Sequence, residues 1–271
     1  MPSHSASLRG LPGALWSQLS RWFTVVQAPP AVAEDEATAD DTPRRALDSV
    51  VLNEGVATLL HDDIHEFFGR REWYAQMGIP WRRGYLLCGP PGTGKTSAAY
   101  ALAGELRRKP CALSLTNPKL NDNVMADLQQ RTPPRSLILI EDIDAFFNVR
   151  EKQDTRMQIS FSGLLNALDG VGAQEGRIIV LTTNHREKLD PALIRPGRID
   201  LEIELGKATA AQLQGLLLRF HPEAGTRIER LTADCPPRAL SPAQIQRLLI
   251  TADSLDEAEA GLRAAFVPAT P

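Results

Sequence analysis

The sequence predicts an α/β fold, in which a five-stranded parallel sheet lies between two layers of helices and is followed by a small α-helical lid. Five short apolar runs alternate with helical segments, at residues 85–88, 111–115, 137–140, 178–182 and 201–205. This alternation is typical of a parallel sheet with helices on both faces. A glycine-rich loop follows the first run and acidic residues follow the third, so the carboxyl edge of the sheet is the predicted ligand site.

The loop after the first run fits the phosphate-binding pattern G-x-x-x-x-G-K-[ST] at every constrained position. Its residues are Gly89, Pro90, Pro91, Gly92, Thr93, Gly94, Lys95 and Thr96. Glycines allow a tight turn in which successive N–H groups, and the N-terminus of the following helix, point at phosphates. We expect Lys95 to reach the outer phosphates of ATP and Thr96 to contact Mg²⁺. The pattern, with a strand before it and a helix after it, predicts a P-loop NTPase core.

The third apolar run ends in two carboxylates, Glu141 and Asp142. They fall at the carboxyl edge of a parallel sheet, where such sheets bind their ligands. One carboxylate there is expected to hold Mg²⁺ through its water shell, and the other to act as general base on the attacking water. We expect these two acids to act together with the phosphate loop.

The fourth run ends at Asn184, and a turn with two arginines follows it. The Asn184 amide is placed to orient a water molecule beside the γ-phosphate. Arg195 and Arg198 stand three residues apart around Pro196-Gly197, and this geometry predicts that both side chains are exposed. Guanidinium groups suit a phosphate in its transition state, so two exposed arginines are expected to serve the ATP of a neighbouring subunit.

Composition excludes several classes of function. The 271 residues carry a net charge of −3 with a pI near 6.0, which gives no basic footprint for nucleic acid. No stretch has the roughly 18 consecutive apolar residues of a membrane span. Three cysteines without a C-x-x-C pair indicate a reduced compartment. We therefore expect a cytoplasmic protein; the alternative is a mitochondrial one, because residues 1–33 lack acids and contain serine and arginine.

The chain divides into three predicted parts. Residues 1–45 are a leader and an acidic linker, either disordered or containing a short amphipathic helix with Leu11, Leu15, Leu19 and Trp22 at helical spacing. Residues 46–206 form the ATPase core, with a strand-like stretch at 50–52 and a helical pattern after it. Residues 207–271 form the lid, in which Ser241 caps a helix that has Pro242 at its first position.

From Leu47 to about Ala265 the chain resembles an AAA-type ATPase. The phosphate loop, the acidic strand end, Asn184 and the arginine turn resemble the Walker A, Walker B, sensor-one and arginine-finger elements in the order of that family. More narrowly, the chain is similar to the Bcs-type AAA ATPases, whose mitochondrial member moves a folded iron–sulfur protein across the inner membrane. This similarity rests on residues 81–87, 141–145, 161–170 and 183–185.

The resemblance implies a chaperone-like ATPase that works as a homo-oligomeric ring, a hexamer or heptamer, upon a protein partner, with no nucleic acid. It assigns Glu141 to Mg²⁺ and Asp142 to the base, in the reverse of the usual order of the two acids. It places Asn184 as a sensor of the γ-phosphate and Arg195 and Arg198 in trans. The loop after the second run lacks the aromatic residue of protein-threading relatives, so threading of an extended chain is not expected.

The resemblance stops ahead of Leu47, where Bcs-type proteins carry a membrane-spanning segment and a substrate-chamber domain. The 46 residues before Leu47 are too few for both. Three explanations stay open: another chain supplies that domain, the gene model begins late, or this is a shortened member used for protein remodelling or complex assembly.

Two other functions compete with the ATPase. One is a nucleotide-gated binding module that takes ATP as a switch with little turnover and contacts its partner through Phe146-Phe147 and the acidic linker. The other is a nucleic-acid motor, which would need a basic pore loop, whereas residues 150–156 are close to charge-balanced. The presence of both a base and arginines favours the ATPase.

Overall fold

The computed structural model describes residues 47, 50–107, 110–117, 119–151, 158–169, 175–236 and 239–266. The predicted leader and linker, with their proposed amphipathic helix, lie outside the described residues, and so does most of the charge-balanced segment at 150–156. The divisions of the chain at residues 45 and 206 stay predictions.

Five parallel strands form one sheet, which confirms the predicted α/β architecture. The strands are β1 (Arg82–Cys88), β2 (Cys111–Leu113), β3 (Leu137–Ile140), β4 (Arg177–Thr183) and β5 (Leu201–Glu204). Their order across the sheet is β2-β3-β4-β1-β5. Strands β1, β3 and β4 lie in the middle of the sheet, so the loops that follow them meet at the centre of its carboxyl edge.

The described part of the chain forms ten α-helices. They are α1 (Val56–Gly69), α2 (Arg71–Met77), α3 (Lys95–Glu105), α4 (Asp122–Arg131), α5 (Ile143–Glu151), α6 (Phe161–Asp169), α7 (Ala210–Phe220), α8 (Arg227–Asp234), α9 (Pro242–Thr251) and α10 (Leu255–Phe266). Thr209 and Ser241 cap α7 and α9, and each accepts a hydrogen bond in a complete capping box, which confirms the predicted cap at Ser241. No described helix is long and apolar enough to cross a membrane.

Three clusters of buried apolar side chains hold these layers together. One cluster packs α1 and α3 against a face of the sheet, and a second packs α4, α5 and α6 against the other face. The helices after Gly206 form a third cluster of their own. This arrangement leaves the carboxyl edge of the sheet uncovered by the packed layers and brings the helices of the third cluster beside it.

Two local predictions were wrong. Strand β1 begins at Arg82 rather than at residue 85. The charged Arg83 side chain can lie in the strand because its guanidinium group makes a bidentate contact with the Asp63 carboxylate. Residues 50–52 do not form a strand; they run as irregular chain past the lid, where Gln212 Nε2 donates to the Val51 carbonyl at 3.0 Å. Apolar residues alone could not distinguish a strand from a segment that packs on a helix.

Phe146 is not available for a partner, and Phe147 is partly buried. Phe146 is fully buried in the second apolar cluster, and Phe147 packs against the same cluster. A contact surface made of both rings is therefore wrong, because the Phe146 ring lies in the core, where large aromatic side chains are commonly buried.

Candidate functional site

The predicted phosphate loop lies between β1 and α3 at the carboxyl edge of the sheet. Gly89 adopts φ +137°, and a Cβ atom there would lie 2.1 Å from the Leu205 carbonyl oxygen. Gly92 adopts φ +76°, and a Cβ atom there would lie 3.0 Å from both Ser241 and Ala243 of the lid. The sequence needs glycine at these positions because the loop turns in the left-handed region while two other segments press against it.

The Lys95 ammonium is buried in the middle of this loop. It donates hydrogen bonds to the carbonyls of Gly89 at 2.8 Å and Pro90 at 2.9 Å, and to Asn184 Oδ1 at 2.7 Å. Burial lowers the pKa of Lys95, while the negative charges of Asp142 and Asp144 act in the opposite direction. A desolvated cation forms stronger hydrogen bonds with an anionic group than with neutral oxygens. A phosphate can therefore replace the carbonyl and amide oxygens that Lys95 contacts.

Thr96 and Glu141 supply an oxygen-rich corner next to the loop. The Thr96 hydroxyl donates to Glu141 Oε1 at 2.7 Å, which joins the start of α3 to the end of β3. A hydroxyl and a carboxylate are the oxygen ligands that Mg²⁺ prefers, commonly through its retained waters. The chemistry of this donor pair therefore fits the predicted magnesium ion.

Asp142 and Asn184 meet across the ends of β3 and β4. Asn184 Nδ2 donates to Asp142 Oδ1 at 3.2 Å, so the single Asn184 amide joins the Lys95 ammonium to the Asp142 carboxylate. Asp142 is exposed and adopts φ +48°, and its N–H donates to Thr182 Oγ1 at 3.0 Å. A non-glycine residue in the left-handed region is uncommon and here turns the acid out of the strand at the sheet edge.

Asp144 is a site residue that the sequence analysis missed. Its buried carboxylate accepts hydrogen bonds from the Thr183 hydroxyl at 2.7 Å and from the Asn184 N–H at 3.1 Å. These contacts fix the end of β4 and so position the Asn184 amide. The signal was its place two residues after Asp142, but a further acid in an acidic turn looks like a solvated residue until its partners are known.

A cavity of about 700 Å³ opens above the phosphate loop, and its volume suits a nucleotide. Three regions line it: the loop with Asp142 and Asn184, the irregular residues Val50 and Val51, and the start of α9 at Pro242, Ala243 and Gln246. The Ala243 N–H also donates to the Gly92 carbonyl at 3.1 Å, which ties the lid directly to the loop. Sequence reasoning missed the two valines because it assigned them to a strand.

The arginine turn is anchored to the sheet, and its two guanidinium groups differ. Asp200 pairs with Gly84 of β1 through its backbone N–H and its carboxylate, each at 2.8 Å. Arg195 is exposed and makes no side-chain hydrogen bond or ion pair with the described residues. The turn therefore presents Arg195 outward from the subunit that carries it.

Arg198 is not exposed as predicted. Its Nε and Nη2 atoms donate to the two carboxylate oxygens of Asp169 at 2.6 and 2.7 Å, and Nη1 donates to the Ala192 carbonyl. The hydrogen bond from Arg198 lowers the pKa of Asp169, and Asp169 raises the pKa of Arg198. Sequence spacing put both arginines on one turn, but it could not reveal a carboxylate at the end of α6 that folds one of them back.

Comparison with known proteins agrees with this geometry. The family described as "ATPase family associated with various cellular activities (AAA)" matches residues 85–207. The chain is 46% identical to human mitochondrial chaperone BCS1 over 75% of this chain and 51% of the relative. It is 44% identical to the probable mitochondrial chaperone bcs1 of Schizosaccharomyces pombe, over 80% of this chain and 50% of that protein.

A plant protein of Arabidopsis thaliana, HYPER-SENSITIVITY-RELATED 4, is 34% identical over 79% of this chain and 40% of its own length. The chain thus spans about half the length, or less, of these curated relatives. The relatives named mitochondrial overturn the expectation of a cytoplasmic protein, which rested only on composition and cysteine count. Motifs, fold and relatives agree that the chain belongs to the AAA ATPase family, in its BCS1-type branch.

Proposed function

We propose that this protein hydrolyses ATP to ADP and phosphate and uses the cycle for conformational work on a protein partner. The observation that carries the proposal is the hydrogen-bonded series Lys95–Asn184–Asp142, which joins a phosphate-binding cation, an amide and a free carboxylate. A module that only binds nucleotide needs the first of these groups but not the last. The series therefore favours turnover over a passive switch.

Each group of this series has a role that its chemistry supports. The loop N–H groups and Lys95 bind the phosphates, with Lys95 exchanging its carbonyl contacts for phosphate oxygens. Asn184, held by Asp144, orients the attacking water, and Asp142 accepts its proton. Thr96 and Glu141 hold Mg²⁺, which supplies charge neutralisation at the phosphates when it is bound.

The exposed arginine supports a site shared between subunits. Arg195 has no partner within the described part of its own chain and stands on a turn anchored to β1. We infer that it reaches the ATP of a neighbouring subunit. A contact of this kind is head-to-tail, and it closes into a ring when the rotation between subunits allows, here a hexamer or heptamer. Arg198 contributes to this shared site in one of two ways. It holds the turn in place through Asp169, or it contacts the phosphate directly once its hydrogen bonds to Asp169 are broken.

The relatives' names support a proposal for the partner and for the compartment. Proteins named mitochondrial chaperones share nearly half of the aligned residues, so we propose a mitochondrial location and a protein partner for this chain. Remodelling, assembly and translocation of that partner are all compatible with an ATPase cycle of this kind.

Phosphate release from Mg²⁺-ATP tests the proposal, with wild type compared with Asp142→Asn. We expect the variant to keep binding a fluorescent ATP analogue, because Asp142 reaches Lys95 only through the Asn184 amide, which the shape of an asparagine at position 142 preserves. Its rate should fall about 10²- to 10⁴-fold, the contribution of a general base. Lys95→Ala gives the background rate for a defective phosphate loop.

The competing function, a nucleotide-gated binding module, predicts a different pattern. In that case wild type would bind ATP tightly, release phosphate no faster than Lys95→Ala, and be insensitive to Asp142→Asn. Such a result would refute the hydrolytic cycle and leave the nucleotide-binding site intact.

A further inference from the structure

Two histidines and a glutamate meet on the face of the core that carries α1 and α3. His61 and His65 lie four residues apart on α1, and Glu105 is the last residue of α3. One ligand atom from each of the three residues lies within 4.8 Å of the other two. Residues at i and i+4 share one face of a helix, so the two imidazoles stand side by side, with ring centroids 4.3 Å apart.

The backbones that carry these side chains are fixed by the core. Leu60 and Ile64 of α1 are buried in the same apolar cluster as Ala98 and Leu102 of α3. The two imidazoles themselves are exposed, so their rotamers can adjust without disturbing that cluster. Tetrahedral zinc with bonds of about 2.0–2.1 Å holds its ligand atoms about 3.3 Å apart, which small side-chain rotations at these positions can reach.

The neighbouring acids have distinct roles. Asp63 is committed to Arg83 and to the Tyr85 hydroxyl, at 3.0 and 2.6 Å, and does not compete for the histidines. Asp62 Oδ1 lies 3.2 Å from His61 Nδ1, an arrangement in which a carboxylate orients a ligating imidazole. The three ligands therefore have a supporting neighbour as well as a rigid base.

This cluster is separate from the nucleotide site. Helix α3 runs from Lys95 to Glu105, so its rise places the two ends about 15 Å apart. The ligand types differ as well, because imidazole nitrogen suits zinc, cobalt and nickel, whereas Mg²⁺ prefers oxygen ligands.

We propose that His61, His65 and Glu105 form a binding site for a divalent transition metal, with zinc as the ion that these ligands suit best. The ion clamps α1 to the end of α3, and water completes its fourth position. Because α3 begins at the phosphate-loop lysine, the clamp holds the helix on which the nucleotide site is built. Glu105 Oε1 also accepts the Leu47 N–H at 3.4 Å, so the same carboxylate holds a buried residue of this apolar cluster.

The test is a calorimetric titration of the full, nucleotide-free chain with ZnCl₂ in the presence of excess Mg²⁺. The Mg²⁺ competes with zinc for the oxygen ligands Thr96 and Glu141. We expect one zinc ion per chain at this site. The zinc affinity should fall by at least about 10- to 100-fold in each of three variants, His61→Ala, His65→Ala and Glu105→Gln. Mutation of a residue that only orients a metal ligand already causes a loss of this size.

The matched control is His185→Ala, which removes another half-exposed imidazole that lies 3.0 Å from a carboxylate, Glu187. Its zinc affinity should equal that of wild type. His65→Gln provides a second, more conservative variant, and zinc should raise the unfolding temperature of wild type but not of either His65 variant. Wild-type affinity weaker than about 1 mM, or equal losses in the His185 and His65 variants, would overturn the site.

Discussion

Lys95 and Arg195 are the two cations expected to act on the phosphates, and their surroundings are opposite. Lys95 is 7% exposed and makes three hydrogen bonds within its own chain, whereas Arg195 is exposed and makes none with the described residues. The groups that surround Lys95 all belong to one chain. The arginine turn is equally well anchored through Asp200, yet the exposed Arg195 guanidinium makes no hydrogen bond with the described residues, and we therefore propose that a second subunit completes the site.

Arg198 lies between these two extremes. It stands on the same turn as Arg195, but its side chain is folded back on Asp169 with two hydrogen bonds. A bidentate pair of this kind has a fixed planar geometry and positions the segment that carries it. We infer that the present state of Arg198 is structural and that it keeps the turn in the conformation that presents Arg195.

The largest effect should come from Arg195→Ala. Removal of an arginine finger costs about 10³- to 10⁵-fold in rate, while the ATP affinity of the phosphate loop should be unchanged because no described contact joins the two. Steady-state phosphate release and equilibrium binding of an ATP analogue measure the two quantities. Arg230→Ala, at an exposed lid position, is the matched control and should leave both at wild-type values. A loss of ATP affinity in Arg195→Ala would mean that the arginine acts within its own chain.

A smaller effect is expected for Asp169→Asn, which breaks the bidentate contact with Arg198. The free energy of unfolding should fall by about 1–3 kcal/mol, the value of hydrogen bonds to a charged group. Asp127→Asn, which breaks the exposed pair between Asp127 and Arg131 on α4, is the control and should cost no more than about 0.5 kcal/mol. Chemical denaturation of the three proteins measures the difference.

The same pair carries a pH signature. Because Arg198 lowers the pKa of Asp169 in the folded state, the pair stabilises the protein fully above the unfolded value of about 3.9 and loses its effect as the pH falls through the folded pKa. The gap in stability between wild type and Asp169→Asn should therefore be constant near neutral pH and shrink in acid. A gap that widens in acid would contradict the assigned ion pair.

The smallest effect concerns the thiol next to the phosphate loop. Burial raises the pKa of Cys88 to about 11, as it does for Cys111 inside the sheet. At pH 8 about one such thiol in 10³ is ionised, so alkylation should be about 100-fold slower than for a free cysteine. Mass spectrometry after iodoacetamide treatment should find Cys235, which is only partly buried, modified first. Rapid labelling of Cys88 but not of Cys111 would contradict this expectation. It would show that the end of β1 next to the phosphate loop opens to solvent, so that this half of the site is less ordered than proposed.

The sequence alone predicted most of the half of the site that lies within one chain, but not Asp144 or the two valines of the cavity. The phosphate loop has eight residues in register, and apolar runs at the sheet's centre leave little choice of element. Lys95, Glu141, Asp142 and Asn184 could therefore be named from the sequence, and the structure brings them together, while their roles stay predictions. Each of these motifs consists of residues that are close together in the sequence, so it can be read without knowledge of the fold. The five strands were also found, with errors only at their ends.

What escaped the sequence depends on contacts between distant residues. Asp144 binds Thr183 and Asn184 about 40 positions later, and Asp169 captures Arg198 from 29 positions earlier. An acid in a turn or at a helix end is usually solvated, so only the folded chain distinguishes these two from other carboxylates. For the same reason the exposure of Arg198 and the strand at 50–52 were predicted wrongly.

We infer that ATP is hydrolysed at a site shared between subunits. The decisive measurement is the rate of phosphate release per subunit across a wide range of protein concentration, with Arg195→Ala protein mixed into wild type at a fixed total. We expect the rate per subunit to climb with concentration and to fall more steeply than the fraction of variant added. A rate per subunit that is independent of concentration and falls only in proportion to the variant would contradict it, because the site would then be complete within one chain.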